Sequence, residues 1–174
     1  VQFADTPEGE AVKNKIEAGM RALMQHAQGT YVPPGESIMK FAAYPKTEEE
    51  ISMWLNKLLE MNKPLAIDIE AFDLKHYDAG IGTISFAWSK SEGIAFCVDY
   101  VAIDGAREAP YGVNQYNPAV RKLLLDFFLK LEQSALYHNI AFDVYVLIYQ
   151  LFMGFLNDTE GLLEGLEVML KNWH

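Results

Sequence analysis

The sequence is short of cysteine, of basic charge and of long apolar runs, and each shortage excludes something. Its one cysteine, Cys97, leaves no partner for a disulfide framework and no thiolate set for a zinc site, which fits a reducing compartment. Read by itself, Cys97 is a buried strand residue. No apolar run approaches the ~20 residues that span a bilayer, and Val1–Glu10 lacks a signal-peptide pattern, so a soluble, cytoplasmic protein is expected. Lys and Arg number 14 against 24 Asp and Glu, a net charge of −10. A protein that coats duplex DNA neutralises many phosphates with a basic stripe, and none is present. Any nucleic-acid contact is therefore narrow: a strand end held through metal ions, or a groove supplied by other sequence. Internal repeats and low-complexity tracts are missing as well.

What is present is an ordinary globular balance. The 174 residues, 51% apolar and 22% charged, suffice for one domain with a single core. The chain begins with Val rather than Met, as expected of a piece cut or processed from something longer. From Gly9 to Gln28, the spacing of Val12, Ile16, Met20, Leu23 and Met24 predicts an amphipathic helix, broken by Gly29-Thr30 and Pro33-Pro34-Gly35. Residues 1–40 read as an N-terminal helical appendage and residues 41–174 as the main domain.

In that domain Thr47-Glu48-Glu49-Glu50 is a capping box opening a second helix, with Ile51, Trp54, Leu55, Leu58 and Leu59 as its apolar face. Asn62-Lys63 ends it and Pro64 prevents continuation. Strands are expected at Leu65–Ile69, Gly82–Trp88 and Gly93–Val98, the last two joined as a hairpin by a polar turn. A long loop, Asp99–Tyr116, leads to Asn117-Pro118, an N-cap followed by proline, and a helix to about Leu131. A short strand at Ser134–Tyr137, a helix at Phe142–Met153 and a helix at Glu160–Lys171, capped by Asn157 or Asp158, complete the order. A strand meander followed by a right-handed crossover to a parallel strand is an α/β mixed sheet of the ribonuclease-H type, flanked by helices.

Two segments carry chemistry. In Asp68-Ile69-Glu70, strand alternation puts both carboxylates on one face. Carboxylates that close repel unless a proton or cation lies between them, and hard divalent cations take oxygen ligands. The apolar run Pro64-Leu65-Ala66-Ile67 sets the pair at the mouth of a buried strand. Asp73 and Asp78, farther along the loop, read as turn residues. The second segment is Tyr137-His138-Asn139-Ile140-Ala141-Phe142-Asp143, a strand end running into the first turn of a helix. There the helix dipole and free amides account for Asp143 on the simplest reading. On the other reading Asp143 and Asn139 come beside the first strand's carboxylates and Phe142 walls a base or sugar. His138 reads as a polar strand-end residue.

Together these segments resemble the first two motifs of the DEDD exonuclease superfamily, in the 3′→5′ proofreading branch attached to family-A DNA polymerases. Leu65-Ala66-Ile67-Asp68-Ile69-Glu70-Ala71-Phe72-Asp73-Leu74 is similar to the first motif, with Gly82–Trp88 as the strand that follows, and Tyr137–Asp143 to the second. A phage polymerase is a plausible source. The resemblance spans about Tyr44 to Met153. It implies two divalent cations, Mg²⁺ or Mn²⁺, about 3.5–4 Å apart, and hydrolysis of the terminal phosphodiester of a single-stranded DNA 3′ end. It implies that Asp68 bridges both ions, Glu70 holds the nucleophile-side ion and orients its water, and Asp143 acts on the second ion. Leu74 and Phe142 would wedge or stack on terminal nucleotides, and Asn139 would steady the second motif. The partner it implies is a polymerase domain, in cis or as a separate chain. The family's third motif, Tyr or His with Asp four or five residues on, has no match after Asp143. This chain by itself is therefore expected to be weakly active or inactive. Three alternatives stay open: an exonuclease-like scaffold or binding domain with vestigial carboxylates, another two-metal nuclease such as an RNA-trimming one, and a structural domain whose first helix docks on a polymerase body.

Overall fold

The computed structural model describes residues 6–32, 38–76, 79–101, 109–110 and 117–172. The chain divides into two units, Val1–Ile38 and Met39–His174, each described here by itself.

The first unit is one helix, α1 (Pro7–Ala27), capped by the Thr6 side chain, which accepts from the Gly9 amide. Its apolar stripe follows the expected spacing. Val12, Ile16, Met20, Leu23 and Met24 are all exposed, and no residue of the helix is buried.

The second unit is a mixed sheet with helices. Its elements are β1 (Phe41–Ala43), α2 (Glu48–Met61), β2 (Leu65–Glu70), β3 (Thr83–Ser89), β4 (Glu92–Cys97), β5 (Tyr100–Val101), β6 (Ala109–Pro110), α3 (Pro118–Lys130), β7 (Ala135–Tyr137), α4 (Ile140–Leu151) and α5 (Thr159–Leu170). The main sheet runs β1-β4-β3-β2-β7. Strands β2, β3 and β4 form the antiparallel meander, and β7 lies parallel to β2, as in a ribonuclease-H-like sheet. β1 adds a parallel edge to β4 and is absent from the sequence-based reading, because three residues are too few to show alternation.

Local chemistry explains the boundaries. The capping box of α2 is complete: the Glu50 amide donates to Thr47 Oγ1, and the Glu50 carboxylate takes the Thr47 and Lys46 amides. Asn62 closes the helix in the left-handed region (φ 48°), which Asn tolerates better than most residues. Asn117 caps α3 through the Val120 amide, and Asp158 caps α5 through the Gly161 amide. α4 starts at Ile140, two residues before the expected start, because Asn139 supplies its carbonyl to the first turn. Within the expected Asp99–Tyr116 loop, β5 and β6 pair antiparallel; residues 102–108 and 111–116, like Asp78, lie outside the described residues.

One face of the sheet is covered. Leu65, Ile67 and Ile69 of β2, Ile84 and Phe86 of β3, and Ile94 and Phe96 of β4 are buried in one core with residues of α2, α3 and α4. Phe86 sits at its centre, edge-on to Phe127 with ring centroids 5.2 Å apart. Burying each such side chain contributes about 1.5–3 kcal/mol. The alternate residues of the same strands, Ala66, Asp68 and Glu70 on β2 and Ser85 and Ala87 on β3, are exposed or half-buried. Cys97, expected to be buried, belongs to this second row and is half-buried.

Candidate active site

Asp68 and Glu70 reach the exposed face of β2 because Ile67 and Ile69 claim the core face. They stand opposite Ser85 and Thr83 of β3, and the Ser85 hydroxyl donates to the Asp68 carbonyl at 3.5 Å. The two ends of the loop that leaves β2 are bonded to each other. Gly82 N–H donates to the Glu70 carbonyl at 2.7 Å, and Phe72 N–H to the Ala79 carbonyl at 2.8 Å. A Cβ on Gly82 would lie 2.8 Å from that Glu70 oxygen, so only glycine permits this approach. Asp73 behaves as a turn residue, its Oδ1 accepting from the Lys75 amide. Leu74, in the same loop, is 84% exposed.

Because β7 runs parallel to β2, with Ile67 opposite Tyr137, the strand ends carrying Asp68 and the His138-Asn139 turn point the same way. The first turn of α4 then places Asp143. Its amide donates to the Asn139 carbonyl at 2.9 Å. Its side chain is buried, with Oδ2 lacking any hydrogen-bond partner. Burial raises its pKa most; the Asn139 backbone opposes this, Asp68 raises it further, His138 lowers it, and Glu70 raises it. Asp143 thus lies within electrostatic reach of both predicted carboxylates. The Tyr137 hydroxyl is also held protonated, chiefly by burial and then by the charge of Asp143. Phe142 is half-buried against the core, and Asn139 is exposed, contributing its backbone rather than a side-chain cap.

A buried carboxylate with one unpartnered oxygen, its pKa raised in part by Asp68 and Glu70, is the kind of oxygen donor that a hard divalent cation takes. Among the described residues, however, no three His, Cys, Asp or Glu side chains are gathered closely enough to form an ion-binding group. The expected pair of cations therefore has no closed donor group among the described residues.

A carboxyl whose folded pKa exceeds its unfolded value favours the fold below the unfolded pKa, and that contribution is lost as pH rises through the folded value. Asp143→Asn removes the penalty. At pH 7 without divalent ions it is expected to raise the melting temperature by roughly 2–4 °C for each kcal/mol recovered, a gain over the wild type that disappears as pH falls below the unfolded carboxyl pKa. A thermal-melt series from pH 3 to pH 8 checks this; an unchanged or lower melting temperature at pH 7 contradicts it.

Sequence reasoning did not find the neighbours of this site. His76, at the end of the loop after β2, packs against Phe142, Tyr145 and Tyr149 of α4. Its carbonyl accepts from Gln150 Nε2 at 2.9 Å. Gln150 is bound by Arg121, which in turn grips the buried Asp99. The spacing of Phe142, Tyr145 and Tyr149 was a readable signal for an aromatic helix face; its partner in the β2 loop was not.

The fold and the site together define an α/β domain of ribonuclease-H type, with Asp68 and Glu70 at the end of β2 and Asp143 in the first turn of the helix that follows its parallel neighbour β7. No protein-family model matches the chain, and no curated protein matches it. Among solved structures, the chain is similar to the catalytic core of RRP6 from Trypanosoma brucei (14% identity, TM-score 0.42), over 63% of this chain and 25% of that one. The C496S mutant of that core gives 12% identity and TM-score 0.41. A structure described as the apo form of the nuclease gives 13% identity and TM-score 0.37, over 65% of this chain and 44% of that one. The chain thus spans a quarter to under half of the length of these structures. Among the described residues no helix is long and apolar enough to cross a membrane.

Proposed function

We propose that this chain is a 3′→5′ exonuclease-type domain acting on the 3′ end of single-stranded DNA in the service of a DNA polymerase. The observation that carries the reading is the unpartnered, buried Asp143 carboxylate, set within electrostatic reach of Asp68 and Glu70 at one sheet edge. Such a set is costly to the fold unless a cation is part of its function.

Asp68 and Glu70, on the exposed face of β2, are the groups that would hold divalent cations, with Asp143 as the third donor. When bound, such ions lower the pKa of a water to make a nucleophile and stabilise a leaving oxygen. Glu70 would accept a hydrogen bond from that water and orient it. Leu74, projecting from the loop, wedges against the terminal nucleotide, and Phe142 supplies an apolar wall for its sugar or base. Asn139 fixes the start of α4 through its backbone and so fixes Asp143. Stacking and wedging are indifferent to base identity, which suits removal of any mispaired end. A polymerase domain, in cis or as another chain, supplies the basic surface that this acidic one lacks.

The open spacing of the carboxylates favours a second reading, an exonuclease-like scaffold without catalysis. Calorimetric titration of Mn²⁺ into the wild type and Asp68→Ala decides between them, with digestion of a single-stranded oligonucleotide run on the same samples. Binding in the wild type that weakens roughly tenfold or more in the variant is expected, since ligand charge sets affinity for hard cations. No Mn²⁺ binding in either protein would give the scaffold reading the lead.

A further inference from the structure

From the sequence upward, α4 places Phe142, Tyr145 and Tyr149 at intervals of three and four residues, so the three rings share one helix face. Asp143, Val144, Val146, Leu147 and Ile148 take the buried side. Tyr145 is 43% exposed, while Phe142 and Tyr149 are half-buried. The loop leaving β2 returns across this face, and His76 lies against all three rings. Its imidazole is 5.5 Å from Phe142, 5.4 Å from Tyr145 at an interplanar angle of 24°, and 6.2 Å from Tyr149 at 8°. A flat heterocycle thus already stacks near-parallel to two tyrosines. The loop is held there by the Gln150 bond to the His76 carbonyl, and Gln150 is itself fixed by Arg121. The result is a pre-formed aromatic surface beginning at the residue next to Asp143.

We propose that the Tyr145–His76 surface is a stacking subsite for a nucleobase of single-stranded DNA, one or two positions upstream of the end held at Asp68, Glu70 and Asp143. This rests on the nuclease reading above and extends it along the strand. Every base presents a π-face, so stacking on tyrosine and histidine gives affinity without sequence preference. It also answers the problem posed by a charge of −10: the strand is gripped through its bases, where the acidic surface offers phosphates little. The exposed side chain of Lys75, next to His76, is one cation on the same loop. His76 and Tyr145 act here as positioning groups that set where the strand lies.

The test uses the full chain in EDTA with a single-stranded deoxyoligonucleotide carrying 2-aminopurine two positions from its 3′ end. Its fluorescence reports stacking directly, without any turnover. The wild type is expected to quench it, and Tyr145→Leu to lose the quench and bind about tenfold more weakly. Tyr145→Trp keeps a ring and is expected to restore both, which guards against a folding defect in the leucine variant. An abasic site at the probed position should weaken binding to the wild type but not to Tyr145→Leu. Equal quenching by wild type and Tyr145→Leu overturns the subsite, and so does no quenching by the wild type. The Mn²⁺ titration is independent: stacking lost in Tyr145→Leu in a chain that binds no Mn²⁺ would uphold the subsite and reject the nuclease.

Discussion

Replacing Arg121 by Met is expected to destabilise the chain by about 3–5 kcal/mol. Asp99 is only 1% exposed, and its carboxylate takes two bonds from the guanidinium, at 2.9 Å from Nε and 2.6 Å from Nη2. It also accepts the amides of Ile81 and Asn117. Without Arg121 a buried carboxylate is left with two amides and no counter-charge. Nη1 and Nη2 of Arg121 further bind the Gln150 carbonyl and side chain, and Gln150 holds the His76 carbonyl. One residue therefore ties the end of β4, the start of α3, the second half of α4 and the loop after β2. At about 2–4 °C per kcal/mol, the melting temperature should fall by roughly 6–20 °C. Urea denaturation of Arg121→Met, and of Arg121→Met combined with Asp99→Asn, checks the cause. The double variant removes the uncompensated charge and should recover part of the loss; a single variant within 1 kcal/mol of wild type would show that the pair is energetically idle.

Gly82→Val is expected to cost about 1–3 kcal/mol or more and to disturb the carboxylates at the same time. The first atom added would lie 2.8 Å from the Glu70 carbonyl and 3.3 Å from the Phe72 ring. That carbonyl cannot withdraw without breaking the 2.7 Å bond from Gly82 N–H and shifting the end of β2. Stability by urea titration and Mn²⁺ affinity by calorimetry should therefore fall together. A stable Gly82→Val chain with unchanged Mn²⁺ affinity would detach this turn from the site. Gly93→Ala makes a control away from the carboxylates, since its added Cβ meets the Phe86 carbonyl at 2.9 Å on the β3–β4 side.

Much of the fold was legible because its signals are local. The Thr47–Glu50 capping box, the Asn117-Pro118 start and the Asp158 cap each satisfy helix amides from within three residues, so sequence alone carries them. The alternation in Leu65–Glu70 reads directly as a core face and a carboxylate face. β1 escaped because a three-residue edge strand exists only through its pairing with β4. The start of α4 was misjudged because Asn139 caps through its carbonyl, not through the side chain that a cap search looks for.

The candidate site divides the same way. Asp68, Glu70 and Asp143, like Asn139, Phe142 and Leu74, could be chosen from the sequence as candidates, since strand and helix periods dictate where each side chain lies relative to its own element. The effect of Asp68 and Glu70 on Asp143 could not, because it depends on β7 settling parallel to β2 and turning at once into α4. Burial of Asp143 with one oxygen unpartnered, the Asp99–Arg121–Gln150 chain and the stack of His76 on α4 join residues 22 to 74 positions apart. Period and propensity act over a few residues, whereas contacts at such separations are decided by how the helices pack on the sheet. The sequence by itself determined the order of elements and which carboxylates share a face; only the tertiary structure decided that Asp143 is buried within their electrostatic reach, and that an aromatic surface begins at the residue before it, because both depend on how α4 packs on the sheet.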